Sequence, residues 1–303
     1  MALLDVILGY DCNLACDYCT ITPAMRARSL NTRDVLNAMR DARARGYEDL
    51  SLTGGEPTIR GDLLGLVRAG KKLGFADIKV QSNGLLYTPD NVARLVDAGA
   101  STFHVSIHTH LATEYDTMVR REGAFGAMQR GLEALVAAGV NPVADVILTS
   151  ATHPRLPGAI AWLADRGLRG ADLWFVSLTD GNADNTESLP AMTDVVDSIR
   201  QAVPVAEARD VRLRSLHLPR CLLGDLVWMA YDPAAERVMV VTPDDRFELS
   251  GSKLTPQMYV PACDGCPERD DCRGVRPDYV VARGDAEIAA ARGQLPTRRL
   301  EVL

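Results

Sequence analysis

The sequence predicts an α/β fold, a partial (β/α)6 TIM-like barrel followed by a small C-terminal α+β domain. Three observations predict it. Apolar, β-branched runs alternate with helix-period segments at a steady rhythm, polar residues gather at the ends of those runs, and the pattern changes near residue 190.

Strands are expected at residues 3–8, 49–53, 77–82, 102–107, 143–149 and 172–177. Helices are expected between them at 33–45, 63–73, 91–98, 124–138 and 159–165. In the fourth helix Phe125, Met128, Leu132, Leu135 and Val136 form a stripe at spacing three and four, and Gly139 terminates it. Six such units imply a parallel sheet, because a crossover helix returns the chain in the same direction. In FHVSIH, Phe103, Val105 and Ile107 alternate with His104, Ser106 and His108, giving one apolar and one polar face. Ser51, Thr53, Gln81 and Asn83 stand at corresponding strand ends, where β/α barrels place their chemistry, with Thr149 and Ser177 as weaker candidates. After residue 189 a helix at 192–203 precedes short strands at 212–217, 225–231 and 237–242, and 231–249 reads as an antiparallel meander. The domains are therefore expected at 1–190 and 191–303.

Composition narrows the function. A 303-residue chain with 47% apolar and 24% charged residues is ordinary globular protein with room for a large core. The net charge of −7 gives no general attraction to phosphate backbones, and Arg26, Arg28, Arg43 and Arg45 are scattered, so nucleic acid is not the expected partner. There is no 18-residue apolar run and no signal-peptide pattern, so the expected location is cytoplasmic, without membrane attachment.

Seven cysteines in a reducing compartment read as metal ligands or buried apolar residues rather than disulfides, and their split into three and four favours two metal sites. Cys12, Cys16 and Cys19 fall within GYDCNLACDYC, directly after the first strand, while Cys221, Cys263, Cys266 and Cys272 lie in the C-terminal part. Three thiolates on a tight loop leave a metal position without a protein ligand, as a catalytic site needs and a structural site avoids.

Cys-x3-Cys-x2-Cys with aromatic Tyr18 before the last cysteine, followed at the next strand end by Gly54-Gly55-Glu56-Pro57, resembles the radical S-adenosylmethionine superfamily. The QSNG and SIH strand ends follow in that family's order, so the resemblance covers most of the chain. It implies a [4Fe-4S] cluster on Cys12, Cys16 and Cys19 whose fourth iron chelates S-adenosyl-L-methionine. Reductive cleavage then yields a 5'-deoxyadenosyl radical that abstracts a substrate hydrogen, with electrons from a flavodoxin- or ferredoxin-type donor. By the same resemblance, Gly54, Gly55, Glu56 and Pro57 surround the amino group of the cofactor. Asn83, Ser106 and His108 approach its carboxylate and ribose, and Arg120, with Arg121 as alternative, pairs with the carboxylate. Many relatives carry an acid near the position of His108. No general acid, base or other catalytic side chain is assigned by the motifs.

Cys263-x2-Cys266-x5-Cys272 followed by Gly274 resembles the middle of the auxiliary module called SPASM, or its shorter form, twitch. The full pattern continues with a cysteine where this chain has Arg276, so one auxiliary [4Fe-4S] cluster is expected, on Cys221, Cys263, Cys266 and Cys272. Four thiolates also suit structural zinc. The resemblance implies oxidative modification of a ribosomally made peptide or related natural-product precursor. The alternative is dehydrogenation of a small molecule such as a sugar or aminocyclitol. The sequence shows no N-terminal segment for gripping a leader peptide, so a separate peptide-recognition protein, or direct binding of the peptide, is a further expectation.

Overall fold

The computed structural model describes residues 2–231, 236–251 and 258–294. The barrel half runs β1 (Ala2–Ile7), α1 (Thr32–Ala44), β2 (Asp49–Thr53), α2 (Leu63–Leu73), β3 (Asp77–Ser82), α3 (Pro89–Ala98) and β4 (Thr102–Ser106). It continues with α4 (Ala112–Met118), α5 (Ala124–Ala137), β5 (Val143–Leu148), α6 (Leu156–Asp165) and β6 (Gly170–Phe175). Then come α7 (Met192–Glu207), β7 (Arg212–Leu216), α8 (Arg220–Leu223), β8 (Arg237–Val241), β9 (Arg246–Glu248), α9 (Pro277–Arg283) and α10 (Ala286–Gln294).

The strands form one open sheet in the order β7-β6-β5-β4-β3-β2-β1-β8-β9, parallel throughout except for the β8–β9 hairpin. This is the expected partial barrel. Local chemistry explains the boundaries. Asn31 caps α1 by accepting from the Asp34 N–H at 3.0 Å, Thr88 caps α3 ahead of Pro89, and Gly74 and Gly99 end α2 and α3 in the left-handed region. Leu50, Leu52, Ile78, Val80, Phe103 and Val105 are buried, as strand residues covered by a helical layer should be.

The residues between them line the inner face of the curl. The polar face of FHVSIH is enclosed: His104 is 7% and His108 2% exposed. Several expectations need correction. Residues 225–231 form no strand; Gly224–Met229 is a 3-10 turn that buries Leu226 and Met229 at spacing three and leaves Trp228 59% exposed. Val136 leaves the core stripe of α5 and is 37% exposed. α7 continues through Pro204 to Glu207, because Ala202 and Ala206 still bury against the core. The hairpin of the expected meander is present, but residues 232–235 of its first turn lie outside the described residues, and β8 pairs with β1 in parallel. β7 and β8, both from beyond residue 190, thus extend the barrel sheet on either side instead of forming a sheet of their own.

Candidate functional site

The loop after β1 brings Cys12, Cys16 and Cys19 close enough to influence one another electrostatically. It is pinned from every side, because its carbonyls need donors that a non-repetitive backbone cannot supply itself. Arg26 donates to the Cys12 carbonyl at 3.0 Å and the Leu14 carbonyl at 2.7 Å, and Arg121 donates to that of Asn13 at 3.1 Å. Asn185 donates to the Asp17 carbonyl at 3.0 Å, and the N–H of Asp17 donates to Met118 at 2.9 Å.

The glycine turn after β2 forms the loop's other wall. Gly55 N–H donates to Gly9 O at 2.9 Å and Glu56 N–H to Asp11 O at 2.8 Å. A Cβ at Gly55 would overlap the Asp11 carbonyl, and one at Gly54, whose φ is +135°, would overlap that of Gly9. The immediate reason for two glycines is thus the approach of the cysteine loop. Glu56, 2% exposed, uses its carboxylate on protein donors. Oε1 accepts from Thr58 N–H at 2.9 Å, Thr58 Oγ1 at 2.6 Å and Ser82 Oγ at 2.8 Å, and Oε2 accepts from Asn83 N–H at 2.7 Å. It thereby caps the 3-10 turn Pro57–Ile59 and ties the end of β2 to that of β3. Asn83 in turn donates from Nδ2 to Asn13 Oδ1 at 2.7 Å, inside the cysteine loop.

The remaining predicted residues are distributed unevenly. Tyr18 meets His108 through its hydroxyl and Nε2, and His108 Nδ1 accepts from the N–H of Ile147 at 3.1 Å, so both ring nitrogens already have protein partners. Ser106 stands at the last position of β4, half-buried. Arg120, exposed with φ 53°, opposes by its charge the upward push of burial on the Asp17 carboxyl, whereas Arg121 holds the loop backbone. Thr149 exchanges hydrogen bonds with Thr152, and the Ser177 carbonyl accepts from Asn182, so both serve local turns.

In the C-terminal part, Cys221, Cys263, Cys266 and Cys272 line one cavity with Tyr259, Arg269 and Gly274. Cys221, although 42 residues from the next cysteine, faces the other three. Arg276, where the longer module would carry a further cysteine, forks onto Asp278 at 2.9 Å, and Asp278 accepts from the N–H of Leu178 beyond β6 at 2.8 Å. Both side chains are about one-tenth exposed. Arg276→Ala is expected to cost about 3 kcal/mol by stranding the Asp278 carboxylate, read as a lowered chemical-denaturation midpoint at unchanged slope.

The donor set fits iron–sulfur ligation. Burial pushes the thiols of Cys12 and Cys16 up, Cys16 to about 12, and does the same to Cys221. Without a cation these groups stay protonated; as thiolates they require one, and binding releases the protons.

Sequence reasoning placed His104 on a polar strand face but missed its partners. His104 Nδ1 and Trp174 Nε1 converge on Asp145 Oδ1 at 3.1 and 3.2 Å, and Arg214 forks onto Asp172. Burial works to raise the Asp145 carboxyl, but the charge and hydrogen bond of His104 outweigh it and hold it below the usual range. The signal was present as charged residues inside apolar strands, Asp145, Asp172 and Arg214, which a buried strand face does not tolerate without partners.

Comparison with known proteins places this geometry. Residues 6–155 match the Radical SAM superfamily. Human "Molybdenum cofactor biosynthesis protein 1" is 30% identical over 219 residues, 67% of this chain and 33% of that protein. A "Probable GTP 3',8-cyclase" of Methanopyrus kandleri is 33% identical over 156 residues, 51% of this chain and 50% of that protein. The chain thus spans a third to a half of the length of these curated relatives. Among solved structures, Streptococcus suis SuiB bound to precursor peptide SuiA superposes with a TM-score of 0.68 at 15% identity, covering 81% of this chain and 58% of that one. The matched segment runs from the end of β1 to the turn after β5, the half that carries the three-thiol loop, and by that match the chain belongs to the radical SAM superfamily.

Proposed function

We propose that this protein binds a [4Fe-4S] cluster on Cys12, Cys16 and Cys19 together with S-adenosyl-L-methionine, holds a second cluster on Cys221, Cys263, Cys266 and Cys272, and oxidatively modifies a peptide or related natural-product precursor. The carrying observation is the presence of two separate thiol sets, one of three on a strand-end loop and one of four around a single cavity. When bound, these groups supply a 5'-deoxyadenosyl radical for hydrogen abstraction and an acceptor for the electron left on the substrate. The chain's own residues fix positions. Glu56 and Asn83 hold the β2 and β3 ends against the cysteine loop, and Arg26 and Arg121 stiffen its backbone. The enclosed inner face of the barrel offers His104, Asp145, Asp172 and Arg214 as a polar floor. A flavodoxin- or ferredoxin-type donor and a separate peptide-recognition protein complete the reading. Among the described residues no helix is long and apolar enough to cross a membrane.

The peptide substrate draws support from the fold, whose likeness to peptide-bound SuiB extends over 81% of the chain. A second reading, a small-molecule reaction, is favoured by the names of the sequence relatives. Anaerobic reconstitution distinguishes the parts. The full chain should take up about eight irons, and Cys12→Ala and Cys266→Ala should each lose about four. Only Cys12→Ala should abolish reductive S-adenosylmethionine cleavage. Incubation with deuterated peptides, nucleotides and sugar alcohols follows; deuterium in 5'-deoxyadenosine from a nucleotide or sugar alcohol alone would overturn the peptide reading.

A further inference from the structure

We propose that the loop between β6 and α7, residues 176–191, is a strap that α9 holds against the first cysteine loop, with Asp278 and Arg283 as positioning residues that act on that loop through it. The strap has two short 3-10 turns of its own, Asp180–Asn182 and Thr186–Ser188. A connection of this length has many conformations open to it unless its surroundings remove them.

Its middle grips the cysteine loop. Gly181 N–H donates to Thr20 O at 2.8 Å and Asn185 Nδ2 donates to Asp17 O at 3.0 Å, on either side of Cys19 in sequence. The fit is close, because a Cβ at Gly181 would come within 2.9 Å of Cys19 O. Asp180 is held at φ 46°, a left-handed conformation that is costly without glycine and persists only where the surroundings enforce it. Asn182, fully buried, donates to Ser177 O at 2.8 Å, and Asn185 donates also to Asn182 Oδ1 at 3.0 Å, which ties Asn185 to the turn that carries Gly181.

Both ends of the strap are tied to α9. Near its start Leu178 N–H donates to Asp278 Oδ2 at 2.8 Å, and near its finish Leu189 O accepts from Arg283 at 2.6 Å. α9 follows directly on the second thiol set: Cys272, Gly274 and Val275 line the four-cysteine cavity, and the helix opens at Pro277. Ile288 of α10 lines the same cavity, and its neighbour Glu287 accepts from the N–H groups of Met192 and Thr193, where the strap passes into α7. Contacts therefore run unbroken from the four-cysteine cavity through α9 and the strap to the carbonyls flanking Cys19. A group seated beside Cys272 fixes the start of α9 and with it both ties, so on the cluster assignment proposed above, loading the second set stiffens the first loop.

The test is amide hydrogen exchange in the full chain at the N–H groups of Asp17 and Cys19, which donate to Met118 O at 2.9 Å and Cys16 O at 3.2 Å. In the metal-free chain Asp278→Ala and Arg283→Met should each speed exchange there by about tenfold. Asp278→Asn, which keeps an acceptor, and Arg283→Lys, which keeps a donor, should recover more than half of the protection. Leu66→Ala, at a fully buried position of α2, lowers global stability and should leave this local exchange unchanged. In a Cys12→Ala chain reconstituted so that the second set alone takes iron, loading should slow exchange at Asp17 and Cys19 by about tenfold. Adding Asp278→Ala to that chain should remove the slowing. If Asp278→Ala fails to fold, Arg283→Met, at an exposed position, carries both comparisons. Unchanged exchange in the anchor variants, or equal acceleration in Leu66→Ala, overturns the strap; iron uptake by Cys12→Ala without any slowing overturns its link to the second set. No iron uptake by Cys12→Ala overturns instead the cluster assignment, and the metal-free variants then decide the strap.

Discussion

Gly55→Ala is expected, on the proposed cluster assignment, to strip the first cysteine loop of its metal while leaving the four-cysteine cavity loaded. The added methyl would meet the backbone of Asp11 and Tyr10, the carbonyl carbons lying 2.6 and 2.7 Å from the ideal Cβ. Backbone cannot rotate aside as a side chain can, so the loop must move and forfeit the hydrogen bonds from Gly55 to Gly9 and from Glu56 to Asp11. The cost is about 3 kcal/mol, concentrated on the segment between Gly9 and Cys12. Iron content after reconstitution should fall by about half, and S-adenosylmethionine cleavage by about a hundredfold or more, since a 1 Å misplacement already has that effect on chemistry. Gly65→Ala, on α2 with no atom within 4 Å of its Cβ, is the control and should retain both metal sites.

Glu56 variants should show the next largest effect. A buried carboxylate accepting four hydrogen bonds has no isosteric substitute. Glutamine keeps one acceptor oxygen and turns an NH2 group either at the Asn83 N–H or at the three donors around Oε1. Glu56→Gln is expected to cost about 2 kcal/mol and Glu56→Ala about 4 kcal/mol, measured by chemical denaturation before metal loading. After loading, on the proposed cofactor assignment, both should weaken S-adenosylmethionine binding by about tenfold or more, because Asn83, anchored by Glu56, ties the end of β3 to the cysteine loop. Unchanged affinity with reduced stability would confine Glu56 to folding.

Much of the barrel was legible because its patterns are short and sharply bounded. The expected strands at 49–53 and 77–82 and the helix at 63–73 coincide with β2, β3 and α2, where Gly54, Gly74 and Asn83 interrupt the period on cue. The 225–231 segment misled because a short apolar run has the same composition in a strand and in a helical turn; only the burial of Leu226 and Met229 separates them. The three-thiol loop was legible from local spacing. The place of Cys221 followed from counting thiols and from its position ahead of the meander, and the fold brings it to the others across 42 residues. The partners of Glu56 and the Tyr18–His108 contact were not legible. They depend on which strands are neighbours and in what register, and that information is held in no single stretch of sequence.

The pairing of β1 with β8 reaches beyond architecture. β1 delivers the chain to Cys12, and its outer neighbour comes from the last third of the protein. The β8–β9 turn adds a clamp, with Asp244 accepting from Tyr10 at 3.0 Å and from Arg28 at 2.6 Å. A chimera joining this barrel to another protein's C-terminal region would therefore strip β1 of a neighbour and leave a sticky hydrogen-bonding edge beside the reactive centre. Recombination within such an architecture must carry both strands together.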